Sequence, residues 1–170
     1  MSTTLKASIG VDLAAKLTEA LDLQTRSAPG GLKANYAFDQ GTGSTVGNAD
    51  LLWSDRRSIN ASSNEDLDFA GSLTGAFGAT LTFARIKAVM VKAASTNTNN
   101  VVITRPASNG VPLFSAASDA ISVLPGGLFL WVAPGAGVTV TASTGDLINI
   151  SNSGSGTAVS YEIVVVGASA

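Results

Sequence analysis

LFLWVAPGAGVTVTASTGDLINISNSGSGTAVSYEIVVVGAS, residues 128–169, decides the fold. Leu128–Ala133, Gly137–Thr141, Leu147–Ser151 and Thr157–Val166 are short runs rich in β-branched and aromatic residues. Such residues suit a pleated, half-buried surface. Between the runs stand Pro134-Gly135, Thr144-Gly145-Asp146 and Ser153-Gly154-Ser155-Gly156. These are turn formers, because proline presets φ and glycine supplies positive φ. Ala120–Leu124, followed by Pro125-Gly126-Gly127, repeats the pattern one step earlier. Strands punctuated by turns every 8–12 residues or so mark a sandwich or barrel. In the last run Val159, Tyr161, Ile163 and Val165 fall on one face, while Ser160 and Glu162 take the other. That is the period of two expected of a strand. The unbroken Val164-Val165-Val166 predicts burial on both faces at that end.

Working towards the N-terminus, Gly78–Ser95 reads as one long strand with a conflict inside it. Leu81, Phe83, Val89 and Val91 share a face, but so do Arg85 and Lys87. The polar run Ser95–Asn100 reads as a turn, after which Val101–Thr104 is expected to pair as the next strand. Glu65–Phe69 alternates acid and apolar residues and predicts a half-exposed strand. Residues 11–23 place Leu13, Leu17 and Leu21 at helical spacing, whereas Leu21-Asp22-Leu23 fits a strand; an extended arm or edge strand is expected, with at most one helical turn. Ser27–Gly43, with Pro29-Gly30-Gly31 and Gly41-Thr42-Gly43, reads as loop-rich. The prediction is therefore all-β: an antiparallel, jelly-roll-like β-sandwich over residues 46–170, preceded by an extended N-terminal arm and loop-rich segment over 1–45.

A chain of 170 residues fits one domain, or one domain and an arm. Its composition is 45% hydrophobic and only 13% charged, which suits a packed core rather than a disordered chain. Cysteine and histidine are both absent. Within one chain that excludes disulfides, thiolate metal sites, a Cys-His protease and a Ser-His-Asp triad. The net charge of −2 gives no reason to expect a nucleic-acid partner. All 10 Lys and Arg residues lie at or before Arg105, and beyond it the charges are Asp119, Asp146 and Glu162. Such a C-terminal third is either deeply packed or covered by neighbours. No apolar run reaches the ~18 residues of a membrane helix, so no membrane partner is expected. The opening MSTTLKASIG does not read as a signal peptide, and the chain is expected to act first in a cytoplasm.

Candidate chemistry is sparse. Asp66 and Asp68 share a strand face beside Glu65, and Glu162 lies on the polar face of the last strand; exposed or paired acids account for them better than glycoside hydrolysis. Asp50 and Asp55 lack the ligand spacing of an EF-hand calcium loop. Gly41-Thr42-Gly43 and Gly154-Ser155-Gly156 precede neither a lysine nor a helix, so they read as turns rather than phosphate cradles. Trp131 reads as core. The one dense charge cluster is Asp55-Arg56-Arg57, just after Leu51-Leu52-Trp53. Arginine and tryptophan are enriched in interface hot spots. Leu51, Leu52, Trp53, Arg56 and Arg57 are thus a candidate assembly interface; the competing reading is an intrachain salt bridge beside a core tryptophan. Catalytic, cofactor and metal sites are not expected.

The D-R-R after an apolar run, the segment ATLTFARIKA (Ala79–Ala88) and the ending with T-G-D-L, S-G-S-G-T and IVVVGAS resemble a family of small virion proteins of tailed bacteriophages. The resemblance covers about two thirds of the chain. It implies a non-enzymatic structural protein, often a capsid decoration (cement) protein, located in the virion and assembled in the bacterial host cytoplasm. The implied partners are the major capsid protein or other virion proteins, and further copies of the chain in a dimer or trimer. The alternatives are a tail, fibre-base or head-spike component, with Trp53 or Tyr36 as platforms for a host glycan, and, more remotely, a hydrolase using carboxylates alone.

Overall fold

The computed structural model describes residues 3–170, and among them every regular element is a β-strand. The strands are β1 (Lys6–Ala20), β2 (Thr25–Gln40), β3 (Asn48–Ala49), β4 (Leu51–Ile59), β5 (Asn64–Asp68), β6 (Ala70–Thr74) and β7 (Thr80–Thr82). They continue as β8 (Arg85–Ala93), β9 (Val101–Thr104), β10 (Ala120–Val123), β11 (Leu128–Val132), β12 (Val138–Thr139), β13 (Leu147–Asn152) and β14 (Val159–Ala168). The five expected C-terminal strands are all present, as β10 to β14, with ends shifted by a residue or two.

Two sheets form the sandwich. One runs β11-β8-β14-β4, with β12 pairing the start of β8; the other runs β10-β9-β13-β5. All pairs in both sheets are antiparallel. The pairs nest. β9 pairs β10, β8 pairs β11, β5 pairs β13, and β4 pairs β14. The chain is in effect one long antiparallel ribbon, and successive turns of it lie alternately in the two sheets.

The inward residues of the two sheets make one core. Trp53, Val89, Val91, Tyr161, Ile163 and Val165 face Leu67, Val101, Ile103, Val123, Ile148 and Ile150, all buried. Burial of each such side chain is worth about 1.5–3 kcal/mol. Phe69, just after β5, stacks edge-on against Trp53 and against Phe83, with ring centroids 6.2 and 5.7 Å apart. Trp131 packs half-buried against the same core.

The long strand expected over Gly78–Ser95 is broken. Strand β7 ends at Thr82 and β8 begins at Arg85. At the break Phe83 N donates to Phe69 O and Ala84 N to Ala168 O, both at 2.8 Å. Beyond it, β8 opposes β14 with a bulge: Ala88 faces Val166 while Ile86 faces Gly167, leaving Lys87 as the extra residue. One inserted residue flips the faces of what precedes it. Ile86 therefore joins Val89 and Val91 in the core, and the conflict noted in the sequence disappears. Only glycine fits opposite the bulge, since a Cβ at position 167 would lie 2.1 Å from Arg85 O and 2.6 Å from the Phe83 ring.

Three further expectations need correction. Strand β9 does not pair β8; it lies in the other sheet between β10 and β13. The loop Ser95–Asn100 makes that crossing and is fixed by side chains: Asn97 brackets Ser160, and Asn99 Nδ2 donates to Thr157 O. The stretch Ser27–Gly43 is not loop but mostly β2, and Leu21-Asp22-Leu23, read as strand-like, is a turn in which Leu21 N donates to Gln24 O, while residues 11–20 are extended as expected. Strands β1 and β2 pair along their whole length, from Lys6↔Asp39 to Ala20↔Thr25. β3 meets only Asp39 and Gln40, so the outer edge of β2 is free at Pro29. Proline is tolerated on such an edge.

Candidate assembly surface

The stretch that drew attention in the sequence, Leu51–Arg57, forms most of β4, and its alternation separates the five candidates. Trp53 points into the core and is 3% exposed, so it offers no surface for a partner. Leu51 packs half-buried against the same core. Leu52 and Arg56 point the other way, onto the outer face of the sheet, and both are exposed.

Arg57 belongs to an intrachain cluster that ties β4, β5 and β14 together. Its Nε donates to Glu65 Oε2 at 2.7 Å and its Nη1 to Asp55 Oδ2 at 2.9 Å. The Tyr161 hydroxyl donates to Glu65 Oε1 at 3.0 Å. The hydrogen bond to Glu65 outweighs desolvation and raises the Arg57 pKa. Burial, reinforced by the Glu65 charge, pushes the Tyr161 phenol well above its ordinary value. Both Glu65 oxygens are already engaged, which suits a tie between sheets better than a general base. Other acids also fasten the fold: Asp66 accepts from Asn149 at 2.7 Å, Asp50 from Ser169 N at 2.8 Å, and Asp68 from Ala70 N at 2.8 Å. Among the described residues no three acidic side chains converge where they could hold a metal ion.

The outer face of the five-stranded sheet is apolar in rows. Cross-strand register aligns Val132, Ala88, Val166 and Leu52 in one row, then Leu130, Met90, Val164 and Ser54 in the next. The third row is Leu128, Lys92, Glu162 and Arg56. Leu52, Met90 and Leu128 are 44%, 37% and 57% exposed. Arg56 pairs with Glu162, and that hydrogen bond lowers the Glu162 pKa. A depression of about 450 Å³ bordered by Arg56, Lys92, Ser95, Ser160 and Glu162 adjoins the charged row.

The β1–β2 hairpin has the same character. Its register puts Ala7, Ile9, Val11, Leu13, Ala15 and Leu17 on one face, opposite Phe38, Tyr36, Ala34, Leu32, Gly30 and Ala28. At the root Phe38 is buried against Ala49, Ala88 and Val166, with Tyr36 and Ile9 packed alongside. Val166 is thereby covered on the outer side, as its apolar run predicted. The same face then continues uncovered: Leu13, Leu32 and Leu17 are 59%, 66% and 75% exposed. Every residue of Asp12–Ala20 and Thr25–Lys33 is exposed.

No family model, curated protein or solved structure matches the chain. The functional reading therefore rests on the surfaces just described. Neither glycan platform named from the sequence presents a free ring, because Trp53 lies in the core and Tyr36 packs at the hairpin root. The aromatic ring that does face solvent is Phe77, 88% exposed in the β6–β7 turn. Sequence reasoning passed over it, and weighed Leu13 and Leu17 only as helix or strand formers, not as surface. Gly75-Ala76-Phe77-Gly78 could have flagged the ring, since a turn with an aromatic at its tip has nowhere to bury it.

Proposed function

We propose that this chain is a structural subunit of a tailed-phage virion and, within it, a capsid decoration protein that fastens to the shell and to its own copies without catalysing a reaction. The nested strand pairing supports reading the sandwich as a jelly roll, an architecture used by viral capsid and lectin domains. Fold alone does not carry function. The observation that carries the reading is the projecting hairpin, whose outer half shows solvent an apolar face that a lone monomer has no use for. A two-stranded ribbon is marginal in water without something packed on it, and an exposed apolar face of this kind marks an interaction site. Repetition over a shell multiplies weak contacts by avidity.

Electron cryomicroscopy of the particle whose genome encodes the chain tests this. Density for the sandwich on the outside of the shell is the expected result. Absence from the particle overturns the virion reading, and density confined to the tail overturns decoration.

A further inference from the structure

We propose that the outer half of the β1–β2 hairpin lies across the outer face of the five-stranded sheet of a second copy, in reciprocal exchange. This deepens the assembly reading above and rests on it. The chain already makes this contact with itself, because the hairpin root seats Phe38 and Tyr36 on the row that holds Ala88, Val166 and Val132. The unbroken β1–β2 register contains no bulge at which the ribbon could fold back over the remaining rows. Those rows and the outer half of the hairpin are left bare in the same molecule, and a second copy covers both at once.

The two surfaces match in sequence of character. Along the hairpin face, Leu13↔Leu32 and Leu17↔Ala28 lead to the charged pair Glu19↔Arg26. Along the sheet, the row of Leu130, Met90 and Val164 leads to Lys92, Glu162 and Arg56. Apolar rows therefore meet apolar rows where the charged end of the ribbon meets the charged end of the sheet, and each face offers both signs.

Area decides between one arm and two. The exposed half of the ribbon is about 30 Å long and about 10 Å wide, so one docked arm removes roughly 600 Å² from water counting both partners. That lies below the ~1,000 Å² a specific interface needs, whereas a reciprocal pair reaches about 1,200 Å². A twofold exchange is thus the smallest closed arrangement that meets the requirement.

The chain has no cysteine, which makes the test direct. Leu17→Cys and Met90→Cys variants, mixed under mild oxidation, should give a disulfide-linked dimer. A mixture of Leu17→Cys with Ser72→Cys, an exposed position on β6, should not. Sedimentation should show a dimer for the native chain and a monomer with an unchanged circular dichroism spectrum for the Leu13→Ser, Leu17→Ser, Leu32→Ser triple variant. A native chain that is monomeric, a dimer untouched by the triple variant, or cross-linking of Leu17→Cys only to another protein in purified particles would each overturn the exchange. A monomer that still decorates particles leaves the virion reading standing. A cross-linked dimer absent from particles does the reverse.

Discussion

Tyr161 lies in the core with its hydroxyl on Glu65, so its ionisation is disfavoured in the folded chain. The sign follows from linkage. A folded pKa above the unfolded one gives stability that is complete below the unfolded phenol value of about 10 and is lost as pH rises beyond it, at up to ~1.4 kcal/mol per pH unit. Lys87 acts in the opposite direction, since its enclosed ammonium, donating to Thr45 O at 2.9 Å, has a pKa lowered by desolvation. The contribution of Tyr161 is therefore isolated by comparison with Tyr161→Phe. Urea midpoints of the two should diverge above about pH 10, with the native chain falling faster; parallel pH profiles would show that the phenol does not titrate with unfolding. At this scale the sequence told part of the story. The period of two placed Tyr161 and Val165 correctly, and an intrachain salt bridge beside a core tryptophan was one of two readings of Arg57. The identity of its partner was illegible, because Glu65 and Tyr161 lie in different sheets and meet only when the two sheets pack face to face.

In the hairpin composition misled at β2, whereas residues 11–20 are extended as expected. Leu13, Leu17 and Leu21 suit a helix by spacing, and Pro29-Gly30-Gly31 suits a loop. Continuous cross-strand pairing overrides both tendencies, since a free edge accommodates the proline and the glycines face no packed neighbour at Gly30. Every strand residue of the hairpin's outer half is exposed. Replacing residues 12–33 with a short Gly-Ser turn should leave the urea unfolding free energy of the monomer within about 1 kcal/mol of the full chain, in the range of surface changes remote from the core. A much larger loss would mean that the ribbon supports the sandwich. The root must stay, because Phe38 covers Val166 and Ala88.

In the whole molecule, the strands of the C-terminal half were legible one by one, but their order was not. Alternation tells which face of a strand is buried, not which strand lies beside it, and Val101–Thr104 was expected next to the strand before it for that reason. Packing should divide the molecule by protection. Amide exchange is expected to be slowest in β8 and β14, which are paired on both sides and form the centre of their sheet, and fastest in Asp12–Lys33. Uniform protection across hairpin and sandwich in the isolated chain at low concentration would contradict this.

The nesting of the ribbon also sets an order in time. Its outermost rung joins Leu51–Ile59 to Val159–Ala168, so that rung closes only after a further hundred residues or so have been made beyond β4. Sandwiches dominated by such distant pairings fold in milliseconds to seconds, whereas a local hairpin forms in about 1–10 μs. The sticky handle therefore forms and reopens many times before the body it belongs to has closed. Crowded nascent chains would meet handle first, and the yield of correctly built protein should fall as synthesis outpaces closure of that last rung.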